Sequence, residues 1–92
     1  MQIEFDEEKN AKNIRERRLS FERVGEFDFD TAVVCEDLRN PYPEARYVAV
    51  GFLDKRLHVV CFTPTRSGIR VISFRRANAR EVRGYEKTRS AD

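Results

Sequence analysis

Hydrophobic and polar positions along this 92-residue chain follow two periods, and the switch between them falls near Thr31. Before it, Ile3 and Phe5 alternate with polar neighbours, which predicts a short first strand. Asp6 ends that strand and is placed to cap a helix whose first turn carries Glu7 and Glu8, carboxylates that complement the positive end of a helix dipole. This helix is expected to run to about Arg18. Its apolar face is thin, mainly Ala11 and Ile14, while Lys9, Asn13 and Arg17 share a polar stripe that is expected to face solvent or a partner. Ser20 caps a second helix of about two turns, with Phe21, Val24 and Phe27 directed inward and Gly25 weakening it.

From Thr31 the period is two, and β-rich runs cover 31–36, 46–53, 56–64 and 68–75. Asn40-Pro41-Tyr42-Pro43 is a loop, Asp54-Lys55 a tight turn, and Pro64 to Gly68 a short link; all are too short for parallel crossovers, so the sheet is expected to be an antiparallel meander. Tyr47 to Leu53 and Leu57 to Phe62 are apolar on both faces, the mark of central strands covered on both sides. After the last strand, Asn78 with Glu81 three residues on forms a capping-box variant that opens a helix to about Lys87, with 88–92 frayed. The expected fold is one α+β domain over 1–92: about four antiparallel strands, a short N-terminal strand, two N-terminal helices and a C-terminal helix.

Charge changes this picture. The net charge of +2 hides an asymmetry: from Arg66 to Asp92 eight basic residues face three acidic ones, whereas 1–65 carry ten against thirteen. A basic end of that kind points to a polyanionic partner. The acidic positions Glu22, Glu26, Asp28, Asp30, Glu36 and Asp37 argue against uniform coating by nucleic acid; they are expected to hold the back of the molecule away from it or to meet a basic partner. Cys35 and Cys61 lie in strand-like runs with no CxxC or Cys/His spacing, and are read as reduced, buried residues of a cytoplasmic protein. Neither a signal peptide nor a membrane span is expected, and no Walker loop, nucleophile elbow, HExxH or zinc spacing is present, so neither metal nor cofactor is anticipated.

Several segments, taken in order, resemble the BrnT-type toxins of bacterial type II toxin–antitoxin systems. They are Phe5-Asp6 with Lys9, Asn13 and Ser20-Phe21; Arg46 to Gly51; and Arg70-Val71-Ile72-Ser73 with Arg75, Ala77-Asn78, Glu81 and Tyr85. The resemblance implies a RelE-like α+β fold and a metal-independent ribonuclease that inhibits translation. It further implies neutralisation by a cognate DNA-binding antitoxin, with a higher-order toxin–antitoxin complex on operator DNA. Where the family often has Lys-His-Gly after the first helix, this chain has Glu16-Arg17-Arg18, so a function served by that histidine would fall to Arg17.

RNA cleavage without a metal needs a base for the 2′-hydroxyl, cations for charge building on phosphorus and an acid for the leaving oxygen. Arginine serves the second need, because its planar fork pairs bidentately with phosphate and stays charged. Arg75 is the expected phosphate clamp; strict alternation puts it on one face with Ser73 and Val71, and Arg76 on the other or at the frayed strand end. His58, the only histidine, is a candidate base or a half-buried structural residue. Glu81 is a candidate base or only a helix cap, and Tyr85 offers a hydroxyl or ring to RNA or anchors its helix. Arg46, Arg70, Arg76, Arg80 and Arg83, with Lys9, Asn13 and Arg17, complete the candidate RNA-binding set; the Lys9 stripe joins the same site only if the fold brings it beside the end of the last strand. Two other readings stay open: a non-catalytic basic module that binds a protein or nucleic acid, and a degenerate toxin kept for regulation.

Overall fold

The structure, a computed structural model, describes residues 1–90. β1 (Gln2–Phe5) passes directly into α1 (Glu7–Arg17), because the Asp6 carboxylate accepts hydrogen bonds from the backbone N–H groups of Glu8 and Lys9 at 2.9 and 3.0 Å. Arg18 ends α1 in the left-handed conformation, φ 55°, and donates its N–H to the Ile14 carbonyl. The Ser20 hydroxyl then caps a 3₁₀ helix, Phe21–Glu26, by accepting from the Glu22 N–H. The strands β2 (Val33–Glu36), β3 (Tyr47–Leu53), β4 (Arg56–Pro64) and β5 (Gly68–Arg76) follow, and α2 (Ala79–Ser90) closes the described chain.

All five strands form one sheet in the order β1-β5-β4-β3-β2. β2 to β5 are the antiparallel meander that their short connections require. β1 departs from the antiparallel expectation: it pairs parallel with β5, from Gln2 opposite Gly68 to Phe5 opposite Val71, so the sheet is mixed. Loop lengths constrain only consecutive strands, and β1 and β5 are separated by most of the chain. Their approach is close at Gly68, where a Cβ would collide with the Gln2 backbone.

One face of the sheet buries Ala49, Leu53, Val60, Phe62, Val71 and Phe74 beneath Leu19, Phe21, Val24 and Phe27. Gly51 leaves room there, since a Cβ would stand 2.8 Å from the Phe27 ring. On the other face the register places Phe52, Val59 and Arg75, and α2 covers it through Tyr85, whose ring meets Phe52 edge-on at 5.6 Å. β4 is therefore buried continuously from Leu57 to Val60, as a strand apolar on both sides should be.

Four local expectations are corrected. α1 is rotated: Ile14 is 44% exposed and Ala11 is exposed, while Asn10 and Asn13 face inward. The turn after α1 brings backbone groups into the interior, and only amides can satisfy them: Asn10 Oδ1 accepts from the Phe21 N–H at 2.8 Å, and Asn13 Nδ2 donates to the Leu19 and Phe74 carbonyls, each at 2.9 Å. β5 carries a bulge, with Cys61 opposite Ser73 and Phe62 opposite Val71, so Ile72 has no partner and both Val71 and Phe74 reach the core. Arg75 thus shares its face with Ser73 but not with Val71. Cys35 is exposed because β2 is an edge strand, and Cys61 is half-buried, its thiol pKa raised by burial; both are free thiols. Finally, α2 runs to Ser90 beyond its expected end near Lys87; the last two residues of the expected frayed tail lie outside the described residues. No helix among the described residues is long and apolar enough to cross a membrane.

Candidate functional site

Three segments distant in sequence converge at one end of the sheet. Asn13 fastens α1 to the Phe74 carbonyl of β5, and one turn later Arg17 and Arg18 come beside the end of that strand. The Asp54-Lys55 turn, with φ 51° and 67°, is a two-residue hairpin that starts β4 at Arg56. Across β4 and β5 the register pairs His58 with Arg76 and Val59 with Arg75. Between these segments lies a cleft of about 800 Å³, lined by Arg17, Arg18, Arg23, Arg56, Arg75 and Arg76 around His58.

The six guanidiniums are not equally available. Arg17 donates to Asn13 Oδ1 at 2.9 Å. Arg23 is held by Glu26 at 3.1 and 3.2 Å and by Asp54 at 2.6 Å, and those hydrogen bonds raise its pKa far above the ordinary arginine value. Arg75 gives both terminal nitrogens to the two Glu81 carboxylate oxygens, each at 2.8 Å. Glu81 in turn accepts from the Asn78 N–H at 2.9 Å while Asn78 Oδ1 accepts from the Glu81 N–H at 2.8 Å, a reciprocal cap that starts α2. The Arg75 hydrogen bond, ahead of every other cause, holds the Glu81 carboxyl below its ordinary range. Arg18, Arg56 and Arg76 are exposed, and their side chains have no hydrogen-bond or ion-pair partner among the described residues.

His58 sits within this ring of positive charge at 5% exposure, its ring 5.6 Å from that of Phe74. Its Nδ1 is 2.8 Å from the Arg56 carbonyl oxygen. A carbonyl only accepts, so Nδ1 carries the hydrogen and Nε2 keeps a lone pair. Burial, followed by the charges of Arg76, Arg23 and Arg56, pushes the imidazole pKa down.

The other sequence candidates are distributed elsewhere. Lys9 is exposed on α1 away from the cleft lining, and the amide of Asn13, read as part of a solvent-facing stripe, is buried. Arg46, stacked 4.0 Å over the Tyr42 ring, and Arg70, opposite Thr63, lie at the other end of the sheet. Arg80 and Arg83 are exposed on α2, over the opposite face. The Tyr85 hydroxyl donates to the Thr31 carbonyl at 3.0 Å, an anchoring contact. Sequence reasoning passed over Arg18, Arg23 and Arg56. The strand connections held a signal for Arg56: the short link between β4 and β5 makes them antiparallel and so puts the first residues of β4 beside the last residues of β5. Among the described residues no group of three or more His, Cys, Asp or Glu side chains is placed to hold a metal ion.

A family model described as ribonuclease toxin, BrnT, of type II toxin-antitoxin system matches residues 5–81. No curated protein matches the chain.

Proposed function

This chain belongs to the BrnT family of ribonuclease toxins of type II toxin–antitoxin systems, and from that membership we propose that it is a metal-independent endoribonuclease whose arginine cleft holds the scissile phosphate. The observation that carries the reading is the cleft itself: three guanidiniums without partners among the described residues, those of Arg18, Arg56 and Arg76, line it together with the chain's single histidine. A backbone phosphate entering there meets donors from α1, β4 and β5, a spacing that favours a group with oxygens on several sides. As the 2′-oxygen attacks phosphorus, charge builds on the non-bridging oxygens, and the cations that meet at the cleft stabilise that state more than the ground state. Arg75 borders the cleft from β5, but its side chain lies on the α2 face of the sheet, opposite His58 and Arg76. Glu81 holds both of its terminal nitrogens, so phosphate binding in the cleft falls to Arg18, Arg56 and Arg76. Cutting of cytoplasmic RNA then inhibits translation. A cognate DNA-binding antitoxin neutralises the toxin by covering the cleft with acidic side chains, and the complex assembles on operator DNA.

Purified protein incubated with RNA in excess EDTA tests the reading. Cleavage is expected, falling about 100-fold in Arg76→Ala, the scale of losing one charged donor to a developing anion. Intact RNA after prolonged incubation would overturn it. The Arg75–Glu81 pair favours a second reading, in which a structural ion pair closes the fork and the basic surface only binds. RNA retained on the protein but never cut would support that reading.

A further inference from the structure

We propose that His58, through Nε2, takes the proton from the attacking 2′-hydroxyl of RNA bound in the cleft, an assignment that rests on the ribonuclease reading. Geometry isolates this atom as the acceptor. No buried side-chain nitrogen or oxygen among the described residues lacks a hydrogen-bond partner. Nε2 has none, since the ring's one bond is made by Nδ1 to the Arg56 carbonyl. Nε2 therefore opens on the cleft that His58 lines, despite the burial of the rest of the ring.

The rival acceptors are already engaged. Asp54 receives Arg23 at 2.6 Å, Glu16 stands 3.9 Å from Lys12, and Glu81 is closed by Arg75 and the Asn78 N–H. Each carboxylate in or beside the cleft thus faces a cation. The groups around the imidazole are mainly cationic: Arg17 and Arg18 from the end of α1 with Glu16 beside them, Arg23 from the 3₁₀ helix, Asp54 from the hairpin turn, Arg56 on β4 itself, and Arg75 and Arg76 from β5. Burial and this positive field keep the ring neutral at neutral pH, the form a base requires. The hydrogen bond to a main-chain carbonyl fixes the tautomer and the ring plane, so the lone pair needs no reorganisation.

Atoms balance as follows. Nε2 takes the 2′ proton while the 2′-oxygen bonds to phosphorus; the bond from phosphorus to the 5′-oxygen breaks, and that oxygen takes a proton from water. The imidazolium returns its proton to solvent. The products are a 2′,3′-cyclic phosphate and a 5′-hydroxyl.

The test is single-turnover cleavage of a labelled RNA oligonucleotide by wild type and His58→Asn. The asparagine amide can keep the donor to the Arg56 carbonyl but has nothing at Nε2. The variant is expected to lose about 10²- to 10⁴-fold in rate, with RNA affinity within a few-fold of wild type. Because His58 is the only histidine, its imidazole NMR titration is unambiguous, and in wild type the rising limb of the pH–rate profile should coincide with it, below the ordinary 6.5. That comparison does not depend on the variant folding. Wild-type cleavage with a limb unrelated to the imidazole titration, or His58→Asn cutting within about threefold of wild type, overturns the assignment while leaving the ribonuclease reading intact. RNA left uncut by wild type overturns both.

Discussion

Arg18 carries a Cβ at φ 55°, a conformation glycine adopts freely and other residues adopt at a cost. Its place after α1 is where a helix most often ends on glycine, and the resembling family often has glycine there. Arg18→Gly is therefore expected to raise unfolding stability by about 0.5–1 kcal/mol in urea titration. The same change removes one of the three unpartnered cations from the cleft, so RNA affinity should fall as stability rises. His58 gives a second residue-scale expectation. Its folded pKa lies below the ordinary 6.5, so between those two values the unfolded chain binds a proton that the folded chain does not. Stability is present above pH 6.5 and is lost as pH falls from there to the folded pKa. Urea midpoints at pH 7.5 and 5.5 should differ more in wild type than in His58→Asn.

At the scale of elements, two contacts decide where helices sit. Asn13 joins α1 to the turn that follows it and to β5, and Asn13→Ala would leave the Leu19 and Phe74 carbonyls without their donor in the interior. A loss of about 2–3 kcal/mol is expected from denaturant unfolding. Glu81 holds the start of α2 by the reciprocal cap and by the Arg75 pair. Its folded pKa lies below the ordinary 4.5, so its contribution is complete above that value and is lost as pH falls through the folded pKa. Glu81→Gln should increase amide hydrogen exchange in the first turn of α2 at pH 7, whereas helix content elsewhere stays unchanged.

Much at this scale is legible in the sequence. Asp6, Ser20 and Asn78 announced helix starts because capping is a local bond, and the hairpin at 54–55 followed from its length. Two departures from the sequence pattern have one physical cause each. Hydrophobicity alone directs Ile14 inward, yet backbone groups of a turn and a neighbouring strand require amides there. Strict alternation groups Arg75 with Val71, because a bulge leaves no mark in a pattern of apolar residues when valine, isoleucine and phenylalanine are adjacent choices.

At the scale of the whole molecule, the basic C-terminal third contributes only Arg75 and Arg76 to the cleft; Arg17, Arg18, Arg23 and Arg56 come from the portion that is acidic overall. Three unpartnered guanidiniums imply about three phosphate contacts, and log affinity for single-stranded RNA should fall against log salt with a slope of about −2. A slope near zero in salt-titrated binding would exclude the cleft as the phosphate site. Arg80→Ala and Arg83→Ala, on the opposite face, should alter that slope less than Arg76→Ala.

By itself the sequence determined the helix starts, the antiparallel meander, the central position of β4 and the presence of arginine at the end of β5. These depend on bonds and periodicities spanning a few residues. Only the tertiary structure decided which arginines meet. That choice rests on the Asn13 bridge and the pairing of β4 with β5, contacts between residues far apart along the chain, and on the bulge at Ile72 and the capture of Arg75 by Glu81, which leave no mark in a pattern of apolar residues.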